Sequence, residues 1–299
     1  MRPQIALLTL SLLIAHGYRI LQTNEDGWAA LYLRSLFNAL KASGHDLVLV
    51  APAENKTGSG SRDEQPRTRL ESCHFNSCTV SPQVPETFGE NKTQQRLYWV
   101  NSFPITSLRV AVTRIVENFW FGKRADLVIS GPHSGTTLGS QVLSSGTIGA
   151  AAYAAEALFL PALAFSGASE ADLPWNTTAI PESSVVYTEL AEFLTSRVLD
   201  IGEPYLPDNT FLNVNFPKIE SKCRDPEDFE WILSRINSIA IEPDVRHCNK
   251  NRLPTEAEVI SKGGCRISVS LGEGTTKLTA PGWKQIQLRD NLESLWSCL

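Results

Sequence analysis

No Cys-x-x-Cys pair, no Gly-x-Gly-x-x-Gly after the first apolar run, no Lys/Arg cluster and no internal repeat occurs in the 299 residues. Each absence closes off a class. Without Cys-x-x-Cys a zinc site has little support, and without the glycine fingerprint a dinucleotide-binding dehydrogenase lacks its main signature. A formal charge of −5 and a pI near 5.6 leave no electrostatic footprint for a nucleic acid polymer. Beyond the first residues no apolar stretch is long enough to span a bilayer, so no membrane partner is expected. The dense acidic cluster of a nucleoside hydrolase is also missing, since Glu25 and Asp26 are the only carboxylates in TNEDG.

What is present is an ordinary globular composition, 42% hydrophobic and 20% charged. Residues 1–17 read as a signal peptide, with Arg2 before the apolar run IALLTLSLLIA and the small-x-small Ala15-His16-Gly17 after it. A secreted, extracellular protein is therefore expected, with residues 18–299 as the mature domain. Six cysteines form an even set that an oxidising compartment would pair. Cys73 and Cys78, close together in a polar loop, are the candidate disulfide, while the full connectivity stays open. Asn55, Asn91 and Asn176 head Asn-x-Ser/Thr sequons and are candidate glycosylation sites.

Five short apolar runs, at 19–23, 46–52, 126–131, 160–167 and 210–217, are nearly continuous rather than alternating. Strands read this way when helices cover both faces of a parallel sheet. Helical spacing separates them over Trp28–Ser43, Ile105–Phe121, Gly146–Leu158 and Ser183–Leu199. The alternation predicts an α/β protein, Rossmann-like, with a mostly parallel sheet and helices on both faces. Residues 54–96 read as a long polar loop. The core runs to about residue 220, followed by an irregular, disulfide-tied, Cys-rich extension in which RISVSLG (266–272) is one short possible strand.

Ligands of such sheets gather beyond the carboxyl ends of the strands. The first strand ends there in Asn24-Glu25-Asp26-Gly27. Two adjacent carboxylates repel unless a cation lies between them, and hard divalent cations take oxygen ligands. The same acids also suit the start of a helix. Ser145-Gly146-Thr147, opening a helix, has the form of a phosphate grip and equally of an N-cap. His133 could serve as ligand or general base, or as neither.

The ordered set TNEDG, APAENKTGSGS, NSFP, DLVISGPHSGTTLG, SSGTIGAA, PALAFSG and LNVNFP, spanning about residues 19–217, resembles the SurE family of survival-protein phosphatases and nucleotidases, most nearly its secreted fungal members. The resemblance implies a metal-dependent hydrolase of phosphate monoesters, acting on nucleoside monophosphates or other small esters. It implies a divalent ion (Mg, Mn or Zn) at Glu25, Asp26, Thr57 and His133, with Asn24, Glu25 and Asp26 as the catalytic segment. Ser145, Gly146 and Thr147 match the phosphate-contacting segment without change. A homodimer is left open.

Four positions depart from the family pattern, one of them Thr57, which stands where a serine is usual and keeps its hydroxyl. Glu25 stands where an aspartate is usual, His133 where an asparagine is usual, and Thr137 where a second asparagine is usual. An imidazole suits Zn²⁺ or Mn²⁺ better than Mg²⁺. These departures make a catalytically impaired binding protein with a retained phosphate pocket the alternative reading. Thr57 also completes the Asn55 sequon, so a glycan at Asn55 would crowd that loop.

Overall fold

The computed structural model describes residues 17–79, 86–169, 171–220, 222–237 and 242–299. Of the expected signal segment, residues 1–16 lie outside them. Strand β1 (Arg19–Thr23), helix α1 (Leu31–Ala42) and strand β2 (Asp46–Pro52) form the first βαβ unit, its two strands paired in parallel. Helix α1 begins three residues later than Trp28, because Ala30 stays extended while the Leu31 N–H donates to the Leu173 carbonyl at 2.8 Å.

The polar stretch expected to be all loop contains the edge strand β3 (Phe88–Glu90), which pairs antiparallel with β4 (Leu97–Val100). The helix expected over Ile105–Phe121 is broken. Helix α2 (Pro104–Val110) runs into a π turn over Ala111–Ile115, where Val116 N–H reaches the Ala111 carbonyl at 3.0 Å, and α3 (Glu117–Trp120) follows. Phe121 then adopts a left-handed φ of 49° and stops it. Next come β5 (Leu127–Ser134), α4 (Gly146–Glu156), β6 (Ala162–Gly167), α5 (Glu182–Asp200) and β7 (Thr210–Phe216).

The extension departs from expectation most. It is not irregular: β8 (Glu230–Ser234), α6 (Glu256–Ser261), β9 (Arg266–Glu273), α7 (Gly282–Asn291) and β10 (Trp296–Ser297) continue the same sheet. The strand order is β10-β8-β9-β7-β6-β5-β1-β2-β4-β3, parallel except at β3–β4 and β7–β9. Cys223–Cys265 and Cys248–Cys298 staple this half, and Cys73–Cys78 closes within the polar loop as expected.

Alternate residues of one strand feed different cores. Ile20, Leu47 and Leu49 pack with α1 and α5, while Leu21, Val48 and Val50 pack with α2 and α4. Two covered faces explain why the strands read as unbroken apolar runs. Full burial of each such side chain is worth about 1.5–3 kcal/mol. Among the described residues no helix is long and apolar enough to cross a membrane.

Candidate functional site

β1 delivers Asn24, Glu25 and Asp26 to the carboxyl edge of the sheet, all at most 1% exposed. The Gly27 N–H donates to Asn24 Oδ1 at 3.0 Å, and Gly27, at φ 101°, turns the chain there. The loop after β2 folds back over this turn, with Lys56 N–H on the Glu25 carbonyl at 2.7 Å.

The two carboxylates then take different partners. Glu25 Oε1 accepts from Ser145 Oγ at 2.8 Å and Thr147 N–H at 3.2 Å. Its Oε2 accepts from Gly146 N–H and Gly58 N–H, each at 2.9 Å. The carboxylate thus fills the N-terminus of α4, where free N–H groups and the helix dipole favour an anion. Contact is close enough that a Cβ on Gly146 would lie 2.4 Å from Ser59 Oγ and 3.0 Å from Glu25 Cβ. Ser145 also caps the helix by accepting from Ile148 N–H at 3.2 Å. Thr147 Oγ1 and Ser59 Oγ are buried there without a hydrogen-bond partner among the described residues.

Asp26 faces β5 instead. Its Oδ1 lies 2.5 Å from His133 Nδ1, and its Oδ2 accepts from Ser134 N–H at 2.8 Å. His133 reaches it because β5 continues past a register shift between Ser130 and His133. Gly131, at φ 108°, permits that path, since a Cβ there would sit 2.3 Å from the Phe165 carbonyl oxygen. Burial works against charge on the His133 ring, but the Asp26 carboxylate, by field and hydrogen bond, and then Glu25 outweigh it. The pKa is pushed up to about 9. The raised value favours the protonated ring beside Asp26.

Of the four expected metal ligands, Asp26 and His133 are in direct contact, and among the described residues Glu25, Asp26 and His133 do not bring three ligand atoms within 4.8 Å of one another. Glu25 is held by α4, and Thr57 donates its hydroxyl to Asn55 Oδ1 at 2.7 Å in an exposed Asx turn. Among the described residues, the one His/Cys/Asp/Glu trio with ligand atoms within 4.8 Å of one another is His247, Cys248 and Cys298. Its two cysteines form a disulfide, so it is no metal site. Within the protein, the two adjacent carboxylates part: Glu25 meets the N-terminus of α4 and Asp26 meets the His133 ring.

Thr137 anchors the loop after β5. Its N–H donates to Asn215 Oδ1 at 2.7 Å, its hydroxyl meets Ser166 Oγ at 3.0 Å, and its carbonyl accepts from Asn213 and Asn215. Asn213 Nδ2 also donates to Glu256 Oε1 at 2.7 Å, while the Gly139 N–H donates to Glu256 Oε2 at 3.2 Å. The asparagines of LNVNFP, two apart on a strand, share one face by simple alternation, so that signal was legible. Glu256, on the distant α6, and Ser59 and Gly58 at the grip were missed. So was Asp172, beside His74 and Asn55. Burial raises its pKa, and the Asp26 charge adds to the rise while His74 opposes it. The sequons of Asn55, Asn91 and Asn176 all lie on loops, with Asn55 and Asn176 exposed.

An open parallel sheet whose strand ends and helix N-terminus enclose a buried carboxylate defines an α/β protein built to hold an anion at its carboxyl edge. Residues 20–239 match the family described as Survival protein SurE, and the chain belongs to that family. It is 26% identical to an acid phosphatase of Yarrowia lipolytica over 294 residues, covering 88% of this chain and 80% of that protein. It is 32% identical to a 5'-nucleotidase SurE of Nitrosococcus oceani over 202 residues, covering 67% of this chain and 65% of that protein. The fold is shared with the crystal structure of a SurE protein from Aquifex aeolicus, at a TM-score of 0.57 and 22% identity, over 92% of this chain and 99% of that one.

Proposed function

We propose that the chain is a phosphoric monoester hydrolase acting on small phosphorylated substrates, nucleoside monophosphates among them. The observation that carries this reading is the hold on Glu25: four donors from α4 and the β2 loop already close around an anion. The acid phosphatase and 5'-nucleotidase relatives support the reaction class. A substrate phosphate takes over the donors of Ser145, Gly146, Thr147 and Gly58, and Glu25 yields its place to it. The unpartnered hydroxyls of Thr147 and Ser59 add capacity for further phosphate oxygens.

Asp26 orients the attacking water and takes its proton as the new oxygen–phosphorus bond forms. The bond from phosphorus to the ester oxygen breaks on the opposite face; the departing oxygen takes its proton from solvent water, and Asp26 releases its own proton to solvent. His133 holds the Asp26 carboxylate in the orientation this requires. A divalent ion, where bound, would be held by the Asp26 carboxylate and by the His133 imidazole in its neutral form, an oxygen–nitrogen pair that suits Mn or Zn better than Mg. Bound there, it would neutralise charge developing on the phosphoryl group. Secretion belongs to the same reading. Pairing of all six cysteines supports an oxidising destination.

The test is phosphate release from a nucleoside monophosphate by the purified protein, with Mg²⁺, Mn²⁺, Zn²⁺ or a chelator. Release that vanishes in Asp26→Asn supports the reading. Inorganic phosphate that binds with no ester ever cleaved would favour the silent binding protein instead. A protein that neither binds phosphate nor cleaves the ester refutes both.

A further inference from the structure

A cavity of about 490 Å³ opens directly beside the grip and shares Gly58 and Ser59 with it. Its chemistry is one-sided. Lys56, Arg62 and Arg67 line it, against Glu64 as the one carboxylate. Glu64 is divided between Arg62 at 2.7 Å and Arg67 at 3.3 Å, so one negative charge serves two guanidinium groups. Lys56 has no ion-pair partner among the described residues. Its ammonium stands 5.7 Å from the Phe103 ring centroid, and Arg62 stacks over the same ring at 4.3 Å. Phe103 thus holds two cations at the cavity wall without neutralising either.

We infer that this cavity binds a second anionic group on the leaving-group side of the substrate, so that the preferred substrates are phosphate monoesters carrying a further phosphate or carboxylate. The inference rests on the proposed hydrolase reading, because the grip fixes where the first phosphate lies. Two net positive charges beside that phosphate attract a dianionic tail more than a neutral one. Glu64 limits the attraction by holding Arg62 and Arg67 in place when no ligand is bound.

Propylphosphonate and propane-1,3-diphosphonate separate the two questions, since neither has an ester bond to cleave. Calorimetry on the intact protein at low salt should find the diphosphonate about tenfold tighter, the sum expected of a few exposed ion pairs. In Lys56→Gln/Arg62→Gln the ratio of the two affinities should fall toward one. Should that variant fail to fold, NaCl titration of the unaltered protein serves. The diphosphonate advantage must shrink as salt rises. Propylphosphonate binding with no advantage for the diphosphonate overturns the inference alone, as does an advantage indifferent to both salt and substitution. Failure of both ligands to bind overturns the hydrolase reading beneath it.

Discussion

Glu25 and Glu256 are equally sealed from water, at 1% and 0% exposed, yet the two regions that bury them treat them differently. At the grip, Glu25 meets three backbone N–H groups and a hydroxyl, two of the N–H groups at the start of an eleven-residue helix. In the extension, burial dominates for Glu256, and hydrogen bonds from Gly139, Ser270 and Asn213 only partly offset it. Its pKa is pushed up to about 8, and it sits neutral at pH 7. One region is organised around an anion, while the other uses a protonated acid as structural glue between α6 and the loop carrying Thr137. Both acids meet donors; what sets Glu25 apart is that its donors stand at the N-terminus of a helix, where the helix dipole adds to them.

The strongest test of that contrast removes charge from the site side. Asp26→Asn should lower phosphate release by about a hundredfold to ten-thousandfold, the range for losing a positioned acid–base group. On the extension side, removing Cys223–Cys265 by paired serines should cost about 4 kcal/mol in denaturant unfolding, from the 42-residue separation it closes. Loss of Cys73–Cys78, which closes a separation of 5, should cost only about 2 kcal/mol.

Glu256→Gln sharpens the comparison through pH. The native carboxyl keeps its proton between its ordinary pKa of 4.5 and about 8, whereas the unfolded chain has lost it. Stability linked to Glu256 is therefore full below pH 4.5 and falls as pH rises toward 8. Denaturant midpoints at pH 5 and pH 8 should differ less in the glutamine variant than in the parent. An equal difference would mean that another group sets the slope. The smallest stability effect belongs to Ser145→Ala, at about 1 kcal/mol for the lost cap. That variant should still lower kcat/KM about a hundredfold, by removing a donor from the phosphate.

Much of the sheet was legible because two covered faces leave an unmistakable trace: β1, β2, β5, β6 and β7 sit within a few residues of the apolar runs. The extension was not legible. Its strands are short and separated by polar, cysteine-bearing loops, and only RISVSLG carried a signal, at β9. At the site, Ser145, Gly146 and Thr147 stand together at a helix start, where their order in the chain put them. The fate of Glu25 was hidden. Its extra methylene lets the carboxylate reach α4, and no local pattern states which distant helix N-terminus a side chain will meet.

The amino-acid order by itself determined the alternation of strand and helix, the family and the turns that collect at one sheet edge, because periodicity and local turn chemistry act over a few residues. Only the tertiary structure decided that Glu25 and Asp26 part company, that His133 pairs with Asp26 and that Glu256 braces Thr137. Those outcomes depend on groups brought together from more than a hundred residues apart, or from separate elements. Electrostatics falls off with distance through space, not along the chain.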